Sequence, residues 1–103
     1  MIAANPVRGE ASLKLNGVEL VLRPSFAALV AAEEELGPLF GLVERVAEGQ
    51  LRLSETVALL WHCLRERPDG MTRDAFGEAV TLGGLVAATP ALKQLLRQIL
   101  QGR

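Results

Sequence analysis

The sequence predicts an α+β fold: an N-terminal two-stranded β-hairpin followed by four or five short α-helices in one domain. Three observations carry this expectation. Residues Ala11 to Arg23 alternate between apolar and polar around a central Asn16-Gly17. Beyond Pro24 the apolar spacing changes to helical, and Ser, Thr, Pro and Gly recur where helices start and stop. The 103 residues are about one domain's worth of chain, half of them hydrophobic (50%) and dominated by Leu and Ala, with few aromatics and no Tyr. That composition favours helices.

Residues 1–9, with Asn5-Pro6 and Gly9, have no periodicity and are expected to form a loose lead-in to the hairpin of residues 10–23. In the hairpin, Asn16-Gly17 suits a two-residue type I′ turn, because both residues tolerate positive φ. The register then sets Leu15 opposite Val18, Leu13 opposite Leu20 and Ala11 opposite Leu22, giving one apolar face, while Lys14 meets Glu19 on the other. A slip of one residue would scatter the apolar set over both faces, so pattern and turn fix the same register.

The helical part is expected to span residues 25–101. Ser25 caps a helix over 25–36 whose buried stripe is Phe26, Leu29, Val30 and Leu36, and Gly37 ends it. Pro38 opens a helix to residue 48 with Leu39, Phe40, Val43, Val46 and Ala47 at helical spacing. Ser54 caps a third helix over 55–67, with Val57, Leu60, Trp61 and Leu64 inward and Arg65 and Arg67 suited to its C-terminal dipole. Pro68-Asp69-Gly70 turns the chain, and Thr72 caps a helix over 73–82 that carries Phe76, Ala79 and Val80 until Gly83-Gly84. The last helix covers 90–101, with Thr89-Pro90 as cap and first turn; residues 85–88 extend it backwards if the helix bends. Its stripe is Leu92, Leu95, Leu96, Ile99 and Leu100. Trp61, Phe40 and Phe76 are expected in the core.

Charge and chemistry exclude several classes. Eleven Lys/Arg against twelve Asp/Glu leave a net charge of -1, without the broad positive field of a non-specific nucleic-acid or anionic-membrane binder. The helices around Pro68 to Gly70 imitate a helix-turn-helix, yet the second carries Asp74 and Glu78 and suits a phosphate-lined groove poorly. The longest apolar run, Phe26 to Ala32, falls far short of the roughly twenty residues needed to cross a bilayer. No basic segment followed by a long apolar stretch marks a secretory signal at the N-terminus, and a lone Cys63 forms no internal disulfide, so a cytoplasmic location is expected. His62 beside Cys63 suggests an activated thiolate, but helix neighbours point about 100° apart and do not face each other. Cys63 is expected as a core filler. No catalytic, cofactor-binding or metal-binding residue is expected. The remaining cluster, Glu33 to Glu35, sits in the last turn of a helix, where the dipole disfavours anions, so either a solvated face or a docking patch for a basic partner accounts for it.

The order of elements carries a resemblance. Asn5-Pro6-x-Arg8-Gly9-Glu10, the hairpin x-Leu-x-Leu-Asn-Gly-x-x-x-x-Leu-Arg, and Phe-x-x-Leu-x-x-x-Glu-x-x-Leu-Gly from Phe26 to Gly37 are followed by Ala47-Glu48-Gly49, the helix from Ser54 to Arg65 and the Gly83-Gly84 break. This order resembles the small tail assembly proteins of gene transfer agents and related siphophage-like prophages. The resemblance implies a tail assembly chaperone that binds the tape-measure protein in the producing bacterial cell, although the family is also labelled as a tail tube component. It implies no cofactor and no catalysis. Expected partners are the tape-measure protein, tail tube subunits and further copies of the chain, with no nucleic acid and no membrane. A small DNA-binding regulator is the alternative of a different class. The expected partner surface is Leu92, Leu96, Ile99 and Leu100 on the last helix, with Glu33 and Glu34; it is core instead if the hairpin or the third helix covers that stripe.

Overall fold

A computed structural model describes residues 10–15 and 17–101 of the chain. Strands β1 (Ala11–Leu15) and β2 (Val18–Leu22) pair antiparallel, with Ala11 opposite Leu22, Leu13 opposite Leu20 and Leu15 opposite Val18, the register that the alternation requires. Gly17 takes a φ of 78°, where a side chain would be strained, while Asn16 and the lead-in 1–9 lie outside the described residues. Ala11, Leu13, Leu15, Leu20 and Leu22 are buried. Val18 is half exposed at the hairpin tip, and Val21, on the face expected to be polar, is buried.

Five helices follow: α1 (Phe26–Leu36), α2 (Leu39–Ala47), α3 (Leu53–Cys63), α4 (Arg73–Gly83) and α5 (Leu85–Gln101). The Ser25 hydroxyl accepts from the Ala28 N–H at 3.2 Å and the Thr72 hydroxyl from the Ala75 N–H at 3.1 Å, so α1 and α4 start on the caps that their sequences supply. Pro38 offers no capping side chain to α2. The Glu33 carboxylate reaches forward from α1 and accepts from the Leu39 N–H at 3.1 Å in its place. Gly84 at φ 86° turns the chain between α4 and α5, whose axes differ by 112°.

Three boundaries differ from the sequence expectation. The N-cap of α3 is Arg52, not Ser54, because the Glu55 carboxylate accepts from the Arg52 N–H at 3.0 Å and begins the helix two residues early. The same helix ends at Cys63 rather than residue 67. Leu64 is extended and bridges Leu22, with the Arg23 N–H donating to the Cys63 carbonyl at 2.6 Å and the Arg65 N–H to the Val21 carbonyl at 2.9 Å. The sheet outcompetes a last helical turn, and the extra stub accounts for the burial of Val21. Finally, α5 starts at Leu85 and encloses Pro90. The bond lost is the one to the Val86 carbonyl, in an exposed first turn where water can take the acceptor.

The core lies between the apolar hairpin face and the inner sides of the helices. Leu59, Leu60 and Cys63 of α3, Phe76 and Val80 of α4, and Ala88, Ala91 and Leu95 of α5 meet the strand side chains there. Phe76 is fully buried and packs on Trp61 with ring centroids 5.7 Å apart. The Arg67 guanidinium stacks on the outer side of the indole, 4.2 Å from its centroid, and covers what the core leaves exposed. Gly77 faces Val57 across the α3–α4 crossing, where a Cβ would meet the Val57 Cγ1 at 3.4 Å.

Candidate functional site

Two aromatic side chains assigned to the core by periodicity are on the surface. Phe26 is 85% exposed and Phe40 79% exposed. In α1 the buried position is Ala32, with Leu29 and Leu36 half-buried beside it; Phe26 lies to one side of that line. In α2 the buried residue is Leu42, and Leu39, Val43 and Val46 flank it at helical spacing, which turns Phe40 outward. Small residues explain the inversion: Ala28 and Ala32 let α1 approach α3 closely, and a Phe on that line would not fit.

These helices and the end of α5 enclose an apolar groove of about 240 Å³ lined by Leu29, Leu39, Phe40, Val43, Ile99 and Leu100. Leu100 is 56% exposed, while Ile99 is half-buried against the core. A second exposed apolar group, Leu82, Leu85 and Val86, lies at the α4–α5 corner.

The six residues expected at a partner surface separate. Ile99 and Leu100 line the groove. Leu92 is half-buried against the core, and Leu96 is also half-buried. The inward line of α5 is Ala88, Ala91 and Leu95, packed on β1 and α4, so of the expected stripe only Leu95 is fully buried. Glu33 and Glu34 are exposed and line a shallow depression with Val30, Gly37 and Pro38 beside the groove.

The three consecutive glutamates do three different things. Glu33 caps α2. Glu35 accepts from Arg73 in a two-pronged pair, one arm at 2.9 Å, and contacts His62 Nε2 at 2.8 Å; these hydrogen bonds hold its carboxyl down to about 2. Glu34 makes no ion pair among the described residues. The anions at the helix end are thus partly compensated by a cation on α4 and by the start of the next helix.

His62 and Cys63 diverge, as helix geometry requires. The imidazole is engaged at the surface with Glu35, whereas Cys63 is 1% exposed and burial pushes its thiol up to about 12. A thiol held protonated is a poor nucleophile. One pair that periodicity does not reveal is Glu10 with Arg65: the carboxylate is 1% exposed and receives the Arg65 Nη1 at 2.9 Å across 55 residues of sequence. Arg65 was expected only as a charge at a helix end.

The described residues thus form a hairpin closed over by five helices, with an apolar groove on the outside lined by aliphatic side chains and Phe40. A family model described as "Phage tail tube protein, GTA-gp10" matches residues 8–102. The chain belongs to this family of phage and gene-transfer-agent tail proteins, which is a structural family and not one of enzymes. No curated protein and no solved structure matches the chain.

Proposed function

We propose that this tail protein is a tail assembly chaperone. It binds the tape-measure protein in the cytoplasm of the producing bacterial cell and keeps it soluble until tube subunits polymerise around it, self-associating as it does so. The observation that carries this reading is the strand content: among the described residues two five-residue strands form the only sheet, and five helices account for most of the rest. A tube subunit contributes enough strand to build a continuous β-barrel ring, and ten strand residues are too few for such a wall. A holdase, in contrast, needs apolar surface open to a partner, and Phe40 and Leu100 supply it.

A second reading, a structural component of the tail tube, is favoured by the family's own description. Particle composition separates the two. A chaperone co-purifies with the tape-measure protein from producing cells and is missing from finished particles; an abundant band of this chain in purified tails would establish the tube reading instead. Gene order offers a faster check, since a tail chaperone is expected between the tube and tape-measure genes.

A further inference from the structure

The groove between α1, α2 and the end of α5 has a charge pattern that says what kind of segment fits it. Residues 26–48 carry five Glu and one Arg. Of these, Glu35 pairs with Arg73 and Arg45 pairs with Glu55, which leaves Glu33, Glu34, Glu44 and Glu48 without an ion-pair partner among the described residues. Glu33 lies at i+7 from Phe26 and i+4 from Leu29, and Glu44 at i+4 from Phe40, so these carboxylates stand on the helix faces that carry the apolar lining. The chain as a whole has a net charge of only -1, so the excess of anions is local to the α1 and α2 walls, while the α5 wall carries Arg97 three residues before Leu100.

We propose that this groove docks an amphipathic helix whose apolar stripe is flanked by Lys and Arg. An apolar channel between helices receives side chains at i, i+3, i+4 and i+7 from a helix laid along it, whereas an extended peptide needs an open sheet edge, which the groove does not have. Leu29, Leu39 and Val43 form the floor, Phe40 and Leu100 stand as walls, and the carboxylates meet basic flanks at the rim. A second copy of this chain is the wrong occupant: two such faces brought together would oppose their glutamates. An anionic membrane surface is the wrong one for the same reason. The proposal rests on the chaperone reading only where the helix is assigned to the tape-measure protein; the preference for a basic helix stands on the groove itself.

The test uses the intact chain and two fluorescent 18-residue helical peptides with one Leu stripe in common, one flanked by Lys/Arg and the other by Glu. Anisotropy titration should show the basic peptide binding on the order of tenfold more tightly or better, with the difference shrinking at high salt. Phe40→Ser with Leu100→Ser should lose on the order of tenfold for the basic peptide, and Glu33→Gln with Glu44→Gln, the first of which keeps an acceptor for the Leu39 N–H, should erase its advantage. All four side chains are exposed, and circular dichroism checks that the variants fold. Equal binding of both peptides, full binding by the Phe40→Ser/Leu100→Ser variant, or a dimer that this variant converts to monomer would each overturn the proposal. The two readings fail separately. If that variant still co-purifies with the tape-measure protein, the chaperone reading survives without the groove; if the basic peptide docks but the tape-measure protein never co-purifies, the groove survives without the chaperone reading.

Discussion

Replacing Arg65 by Met tests how the hairpin is fastened to the helices. Arg65 follows α3 and places its guanidinium 2.9 Å from Glu10, a carboxylate with only 1% of its side chain exposed just before β1. Met preserves most of the apolar stem and removes the charge, so the buried carboxylate keeps its desolvation penalty and loses the hydrogen bond and charge that Arg65 supplies. Breaking a buried pair from one side costs about 3 to 5 kcal/mol. The Arg65 side chain is 18% exposed, and water can replace part of what it supplies, which puts the expectation at the lower end, about 3 kcal/mol. That is roughly a hundredfold in the ratio of folded to unfolded chains, and a fall in Tm of at least about 12 °C for a domain of this size. Urea unfolding followed by circular dichroism and by Trp61 fluorescence measures it. Adding Glu10→Gln, which removes the buried charge and keeps an acceptor, should recover at least about 1 kcal/mol of the loss. An Arg65→Met variant within about 0.5 kcal/mol of the parent would refute the reasoning, since that is the range of an ordinary surface substitution.

Three further expectations follow from the packing and the charges. Glu35 is depressed to about 2 in the folded chain, so its contribution is complete above the ordinary glutamate range and disappears as pH falls from there towards 2; Arg73→Ala should flatten the stability profile in that window, with its cost present in full at neutral pH and vanishing near pH 2. The Glu35 side chain is 39% exposed, so solvent screening limits the effect to about 1 kcal/mol or less. The Cys63 thiol, buried and pushed up to about 12, should resist a disulfide reagent at pH 8 in the native chain and react at once in guanidinium; fast native labelling would contradict the packing of α3. Gly77→Ala should stabilise α4 by about 0.4 to 1 kcal/mol, because the added Cβ meets Val57 at ordinary contact distance, and a loss of Tm would mean that the α3–α4 crossing cannot give.

The hairpin was legible because two independent signals, alternation and turn chemistry, agree on one register. Helix existence was legible for a similar reason: Ser25, Thr72 and Gly84 punctuate the chain with residues that have a local job. What periodicity could not give was the direction of a stripe when more than one line of apolar residues runs along a helix. Phe26 and Phe40 are large and apolar, but Leu39, Leu42, Val43 and Val46 already form a complete inward set in α2, and that set was the available sign that Phe40 is extra. The end of α3 was invisible because it is decided by a partner far away in sequence, the outer edge of β2. The Glu10–Arg65 pair is hidden for the same reason, since no local pattern relates residues 55 apart. Of the expected partner surface, Ile99, Leu100, Glu33 and Glu34 fall at or beside the groove, while Leu92 sits half-buried against the core.

The extended stub at Leu64 and Arg65 also sets how many neighbours the small sheet can have. Near Val21 and Arg23 the outer edge of β2 is occupied by the chain's own backbone, whereas β1 has no strand on its outer side among the described residues. Growth of a sheet from subunit to subunit needs an acceptor edge and a donor edge on every copy, as any ring or fibre does. With the Leu22 end of that edge taken internally, β1 offers the longer open edge among the described residues, and two copies joined through it would form a two-fold pair. Such a pair would have only the short Val18 to Leu20 stretch of each β2 left for a further strand, so strand pairing is expected to close on itself rather than run on from copy to copy.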